Sequence, residues 1–297
     1  MNKMSTLDLA IDYLILGDNQ FFGVNHMSEK RGMETREKFK DIGEIKRMLY
    51  IAMDLGVNGV FFSTHPDIYE ITDMIRSDPA LKDHFNIYVN VPYIVKYISM
   101  VNTVGPVATI QTMLQGKGAK FFAEGARNLL STDYIGLAMQ LVEVEIAPFH
   151  DLNVKAVLLH NSLCDLALAY NMTDVIQHFD QHVRSKIGVI PGYGTQNYPA
   201  FSKFLKRAGL GPSLVMTAVN KMGFYMNPDI ESYESTFAHD DNTVLAMASL
   251  ASGRLKPDEA YEYLAAIGVN HVLAGLSSKS HAEETFGSIK KYVLGEK

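Results

Sequence analysis

The sequence has a single cysteine, Cys164, so no disulfide can form within one chain. This excludes the small secreted scaffolds that disulfides stabilise. The first ten residues also lack a basic segment followed by a long apolar core, which is the pattern of a secretory signal. From these two absences we expect a reduced, cytoplasmic protein.

Long hydrophobic runs and an excess of positive charge are missing as well. The longest apolar runs, such as 154–159, fall far short of the ~18–20 residues that a membrane-spanning helix needs. Lysine and arginine total 27 against 33 aspartates and glutamates, a formal net charge of −6. No overall positive field therefore attracts a nucleic acid or an anionic membrane. We expect neither as a partner, and a small molecule as the substrate.

What the sequence does contain is a repeated order of short apolar runs and longer segments with helical spacing. Hydrophobic residues make up 47% and charged residues 20%, as in ordinary globular proteins. Eight strand-then-helix units across 1–297 predict a (β/α)8 TIM barrel in one domain. An open doubly wound sheet is the alternative, but no glycine-rich dinucleotide turn follows the first strand. The predicted strands are 13–16, 59–62, 86–91, 156–159, 187–190, 214–218, 244–248 and 271–274.

The connections after strands one and three differ from a simple βα turn. Residues 26–41 are rich in Lys, Arg and Glu and predict a polar loop before a helix at 42–55. Residues 92–151 are longer than one connection usually needs, and predict a helical insertion that serves as a lid or an interface. Within it, 132–149 predicts one long amphipathic helix.

Candidate catalytic residues stand where the predicted strands end, because barrel active sites lie at the C-terminal ends of the strands. His160 directly follows strand four, and an imidazole exchanges a proton near pH 7 or donates to a developing oxyanion. Asn161 follows it, and Asn90 ends strand three. Lys221, after strand six, is a Schiff-base amine or general base if burial activates it, or else a solvated loop lysine or phosphate clamp.

A divalent metal is a further alternative for the same edge. His26, His65, His160 and Asp18 are residue types that ligate such ions. No HxH or HExxH spacing connects them, so no metal ligand is assigned.

The turn after strand eight predicts an anion site. Gly275, Ser277 and Ser278 are small and precede a helix at 280–293, so backbone N–H groups and the helix N-terminus meet at one point. We expect a phosphate, or the phosphate of a cofactor, to bind there. Asn197, after strand five, joins the candidate cofactor-binding set.

Four stretches together resemble the aldo-keto reductase superfamily: 16–23, 52–62, 158–160, and the late pair 250–255 and 274–285. The resemblance implies NAD(P)H-linked reduction of a carbonyl, with a tyrosine as proton donor supported by lysine, aspartate and histidine.

The chain matches the family at some of its functional positions and differs from it at others. His160 matches the histidine, Ser63 stands at the aspartate position, and Asn90 or Val91 at the lysine position. Tyr69 is one residue out of register with the tyrosine.

At the cofactor end the resemblance places His281 against the 2′-phosphate of NADP. It places Glu284 and Thr285 beside the adenosine. NADP is therefore the expected cofactor.

Three functions remain open at this point. The first is a reductase with an altered proton-donor set that uses Tyr69, Tyr93 or Tyr193 with His160. The second is a non-redox lyase, isomerase or hydrolase that acts on a phosphorylated small molecule. The third is a non-catalytic nucleotide-binding protein, since a fold does not determine a reaction.

Overall fold

Eight parallel strands close into a barrel in chain order, with β1 paired to β8, in the computed structural model. It describes residues 10–24, 29–105, 112 and 134–296. The predicted (β/α)8 fold is confirmed. The strands are β1 (Leu14–Gly17), β2 (Gly59–Ser63), β3 (Asn86–Val91), β4 (Val154–Leu159), β5 (Ile190–Thr195), β6 (Leu214–Ala218), β7 (Thr243–Met247) and β8 (His271–Gly275).

Helices pack around the barrel, and the amphipathic ones turn an apolar face toward the strands. In the second helix, for example, Ile45, Met48, Leu49 and Ala52 recur at helical spacing and are buried, and Asp41 caps its N-terminus. The helices are α1 (Glu29–Lys38), α2 (Ile42–Asp54), α3 (Ile68–Ser77), α4 (Pro79–His84), α5 (Ile94–Val104), α6 (Tyr134–Ile146), α7 (Asn161–Ala169), α8 (Thr173–His182), α9 (Tyr198–Arg207), α10 (Ile230–Phe237), α11 (Pro257–Ala266) and α12 (Lys279–Tyr292).

Two local predictions are wrong. Strand five was expected at 187–190, but Val183–Ile187 continues α8 as a π-helical turn that Gly188 ends with φ +80°, and β5 begins only at Ile190. The polar loop expected at 26–41 contains α1, a helix whose sequence has no apolar stripe. The 3.6-residue recurrence of apolar residues that predicts a helix from sequence is missing from such a segment.

The predicted insertion is helical where the structure describes it. α5 and α6 are both helices, and a short 3-10 turn, Ala147–Phe149, follows α6. The predicted helix at 132–149 therefore ends in a tighter turn, and its first two residues lie outside the described residues. Most of the segment between α5 and α6 also lies outside them.

The barrel interior is apolar at its lower end and more polar at its upper end. Ile15, Phe61, Tyr88 and Leu158 form part of one buried apolar cluster inside it. Side chains alternate along a strand, so the next inward positions are two residues further along. These positions, at the C-terminal mouth, carry mostly small or polar residues. They are Gly17, Ser63, Asn90, Gly194 and Gly275.

Candidate active site

His160 is held at the mouth by two backbone hydrogen bonds. Its N–H donates to the carbonyl oxygen of Val91 at 2.7 Å, which fixes it beside the end of β3. Its ring Nδ1 accepts the N–H of Ser162 at 3.1 Å and so caps α7. Burial lowers the pKa of this imidazole, so it is neutral near pH 7. With Nδ1 occupied as an acceptor, the ring hydrogen is on Nε2, and Nε2–H is a donor for a ligand oxygen.

Asn90 and Asn161 lie beside His160 on neighbouring elements. Asn90 is only 7% exposed, and its Oδ1 has no hydrogen-bond partner among the described residues. Asn161 begins α7, and a Cβ on Gly194 would lie 2.9 Å from its backbone nitrogen. The absence of a side chain at Gly194 therefore lets α7 approach β5. Three of the predicted catalytic residues thus meet where β3, β4 and β5 end.

Asp18 brings a carboxylate to the place where the resemblance expects one. Its Oδ2 accepts the backbone N–H of Ser63 at 2.6 Å. Burial raises the pKa of Asp18 to about 6, and the hydrogen bonds from Ser63 oppose that shift. From the sequence Asp18 was a polar residue at a strand end and a candidate metal ligand, with no catalytic role assigned. Its position directly after β1 was the signal in the sequence that placed it at the mouth. Its hydrogen bond to Ser63 at the end of β2 depends on the tertiary structure and has no signal in the sequence.

Tyr93 presents a phenol at the same mouth. Its ring meets the edge of the His65 ring at a centroid distance of 5.0 Å, and His65 stacks on Phe22 at 4.2 Å. Burial and the nearby carboxylate of Asp18 raise the pKa of Tyr93, so its phenol keeps its proton at neutral pH. Burial lowers the pKa of His65, which leaves this ring uncharged there.

The other two candidate tyrosines are placed differently. Tyr193 is fully buried, and its hydroxyl donates to Asp180 Oδ2 at 3.0 Å. The expectation that it serves as a proton donor is therefore wrong, because its hydroxyl faces the core between β5 and α8. Tyr69 lies in the first turn of α3 and is 53% exposed.

Lys221 lies in a surface ion pair. Its Nζ is 2.9 Å from Glu259 Oε1, and both side chains are about half exposed. The desolvation that would activate a lysine as a Schiff-base amine is absent at such a site. The structure favours the solvated loop lysine among the three roles considered.

The predicted phosphate turn joins β8 to α12. Ser278 caps the helix, and its Oγ accepts the N–H of His281 at 3.2 Å. The Nζ of Lys38, at the end of α1, donates to the carbonyl oxygen of Ser277, which brings a positive charge to the turn. Gly275 ends β8, and a Cβ there would lie 2.9 Å from Gln20 Oε1.

The two remaining candidates for cofactor binding are Asn197 and Glu284. Asn197 caps α9 by accepting the N–H of Ala200 at 3.2 Å, so its side chain has a structural partner. Glu284 is exposed on α12.

The donor set of the mouth fits a nicotinamide dinucleotide. Asn90 Oδ1 and the Oγ of Ser249, which follows β7, are both buried without a partner in the described part of the chain. A carboxamide carries both a hydrogen-bond donor and an acceptor, and so complements such groups. At the other end, the N-terminus of α12 with Lys38 beside it suits a phosphate.

Neither a metal cluster nor a membrane span is found in the described ranges. No three or more His, Cys, Asp or Glu side chains are grouped there to hold an ion, and His26 lies outside them. No helix within 10–24, 29–105 or 134–296 combines the length and apolar character needed to cross a bilayer.

Comparison with known proteins finds similarity at the level of structure. No family model and no curated protein sequence matches the chain. A solved structure assigned to the aldo-keto reductases, from Pseudomonas aeruginosa, is 16% identical, with a TM-score of 0.57 over 93% of this chain and 89% of that one. The holo form of an aldo-keto reductase from Bacillus halodurans is 12% identical, with a TM-score of 0.55 over 94% and 86%. The chain therefore has the barrel fold of the aldo-keto reductases.

Proposed function

We propose that this protein is a divergent member of the aldo-keto reductase superfamily that reduces a small carbonyl compound with NAD(P)H. The observation that carries the proposal is the capped imidazole of His160. Its Nδ1 is committed to Ser162, so the neutral ring offers one donor, Nε2–H, at the mouth of the barrel. A neutral donor of this kind polarises a carbonyl and stabilises the oxyanion that develops on it.

The chemistry divides between the cofactor and three side chains. A nicotinamide dinucleotide held at the mouth would supply the hydride that the carbonyl carbon accepts. His160 donates a hydrogen bond to the carbonyl oxygen. Tyr93 gives its phenolic proton to that oxygen, since an alkoxide is a far stronger base than a phenolate, and solvent returns the proton to Tyr93. Burial, together with the charge of Asp18, raises the pKa of Tyr93 and keeps its phenol protonated before the transfer.

The cofactor would lie across the mouth between two groups of residues. Asn90 and Ser249 would bind the carboxamide end through their buried, unpartnered oxygen atoms. Ser278, Lys38 and His281 would bind the phosphates at the start of α12, and contact of His281 with a 2′-phosphate would favour NADP over NAD.

A non-redox reaction is the second candidate, favoured by Asp18. A buried carboxyl with a pKa of about 6 is suited to exchanging protons near neutral pH without a cofactor. A lyase or isomerase acting on a phosphorylated small molecule would use Asp18 and His160 for this and the α12 turn for the phosphate.

The deciding experiment is a titration of the purified protein with NADPH and NADH, followed by nicotinamide fluorescence and calorimetry. We expect micromolar binding of NADPH that Ser278→Asp and His281→Glu weaken at least tenfold, because each adds negative charge at the phosphate turn. His239→Glu is the matched control, since His239 is exposed just after α10.

Two outcomes would reject the reductase. No binding at millimolar cofactor would favour the non-redox barrel and direct the next screen to phosphorylated metabolites. Tight binding without turnover of any carbonyl, unaffected by replacing His160, would favour a nucleotide-binding protein instead.

A further inference from the structure

Glu145 is a charged residue in the last turn of α6 that is almost completely buried. It is 4% exposed, although burying an ionised carboxylate is costly unless every lone pair finds a donor. The helix that carries it belongs to the insertion after β3 and contributes no strand to the barrel. Its burial therefore needs an explanation outside the barrel core.

Three donors from the mouth of the barrel surround this carboxylate. The hydroxyl of Thr64, in the loop after β2, donates to Oε2. The backbone N–H of Tyr93, in the loop after β3, lies 3.2 Å from the same oxygen and 3.1 Å from Thr64 Oγ1. The ammonium of Lys96, in α5, is 3.2 Å from Oε1. One side chain thus connects the loops after β2 and β3 to α5 and α6, the two helices of the insertion that the structure describes.

We propose that Glu145 is a positioning residue that fixes Tyr93 in the mouth, so that the insertion is part of the active site. The part of this proposal that concerns proton transfer rests on the proposed reductase function. The phenol of Tyr93 extends toward His65, and the backbone of Tyr93 is anchored on the Glu145 carboxylate. Movement of that backbone would carry the phenol away from the substrate oxygen.

The role is specific to a carboxylate. Both oxygen atoms of Glu145 accept, and each faces a different donor. In glutamine one of these atoms becomes an NH2 group, which would face either the Lys96 ammonium or the Tyr93 N–H. A donor would then meet a donor, and the anchor on that side would be lost. Aspartate keeps two accepting oxygen atoms, but its shorter side chain places them further from the donors.

The test combines amide exchange with steady-state kinetics. We expect Glu145→Gln to speed hydrogen exchange at the Tyr93 amide about tenfold and to lower kcat by about 10- to 100-fold, with the Kd for NADPH unchanged. Glu145→Asp should restore part of both. Glu143→Gln is the matched control on the same helix, because Glu143 is half exposed and pairs with His182 instead. It should change neither measurement.

The outcomes separate this inference from the proposed function. Unchanged exchange at Tyr93 in folded Glu145→Gln overturns the anchor, and faster exchange with wild-type kcat overturns the positioning role. If the wild type neither binds NADPH nor turns over, the reductase fails while the exchange result still decides the anchor. Should Glu145→Gln fail to fold, Thr64→Val removes the bridging hydroxyl alone and is expected to give the same local increase in exchange.

Discussion

His160 combines a structural and a chemical role in one ring, and the two can be separated. We expect His160→Asn to lower kcat by about 10²- to 10³-fold with little change in stability, because asparagine is a good N-cap but has no imidazole. His160→Ala should lose the same activity and also about 1 kcal/mol of stability, since the cap to Ser162 disappears. NADPH oxidation rates and urea unfolding measure the two effects. Wild-type turnover in a well-folded His160→Asn would discard the assignment.

Asp18 is predicted to make stability depend on pH. Burial raises its pKa from 3.8 to about 6, so between these values the folded state binds more protons than the unfolded state. Stability from this group is complete below pH ~4 and is lost as pH rises through 6. Asp18→Asn removes this loss and should stabilise the protein at pH 7 by up to about 3 kcal/mol.

The measurement for Asp18 is urea unfolding of both proteins at pH 4.5 and pH 7. The advantage of Asp18→Asn should shrink toward the lower pH, because the wild-type carboxyl is then protonated in the folded state. An advantage that is equal at both values would show that the carboxyl of Asp18 does not titrate between them.

At the scale of elements, two contacts hold α1 against the segment after β1 and the turn after β8. Gly23 adopts φ +68°, and a Cβ there would lie 2.5 Å from Arg36 Cβ and 2.7 Å from the carbonyl oxygen of Gly32. The other end is fixed where Lys38 donates to Ser277. A glycine is therefore required both for the backbone angle and for the close approach of the helix.

We predict that Gly23→Ala displaces α1 while the barrel stays folded. Residues 29–38 should become sensitive to limited proteolysis and lose amide protection, with little change in the main unfolding transition. Gly188→Ala is the control, because Gly188 has φ +80° and no atom within 4 Å of its added Cβ. Gly188→Ala should therefore lower stability only by the strain of an alanine at positive φ, about 1 kcal/mol. Equal behaviour of the two variants would show that α1 does not depend on close packing at Gly23.

At the scale of the whole molecule, the two ends of the barrel have different tasks. At the lower end the Tyr88 hydroxyl donates to Asp12 Oδ2 at 2.6 Å and accepts the Asp12 N–H at 2.9 Å, which ties β3 to the segment before β1. At the upper end Tyr93 stands among groups with shifted pKa values. Stability and chemistry should therefore respond to different tyrosines.

Tyr88→Phe is predicted to lower stability, and Tyr93→Phe is predicted to lower activity. Tyr88→Phe should lower the free energy of unfolding by about 1.5–3 kcal/mol, because it removes a hydrogen bond to a charged group, and leave kcat unchanged. Tyr93→Phe should lower kcat by at least tenfold and change stability little. Urea unfolding and NADPH oxidation in the same preparations test the pair. A large loss of stability in Tyr93→Phe, or of activity in Tyr88→Phe, would contradict this division.

The sequence by itself determined the barrel and which residues follow its strands at the mouth. Alternating short apolar runs and amphipathic helices are local patterns, so strands such as β3 and β6 were predicted with their observed bounds. His160 was found because a residue directly after a strand must lie at the mouth. Which of the candidate side chains meet, and with which partners, was decided by the tertiary structure alone. Asp18 lies in the connection after β1, and Tyr93 and Glu145 lie near opposite ends of the connection after β3. The donors that meet the Asp18 and Glu145 carboxylates reach them only when the closed barrel brings these segments together. Periodicity records which face of an element is buried, and carries no information about which polar groups will meet across the mouth.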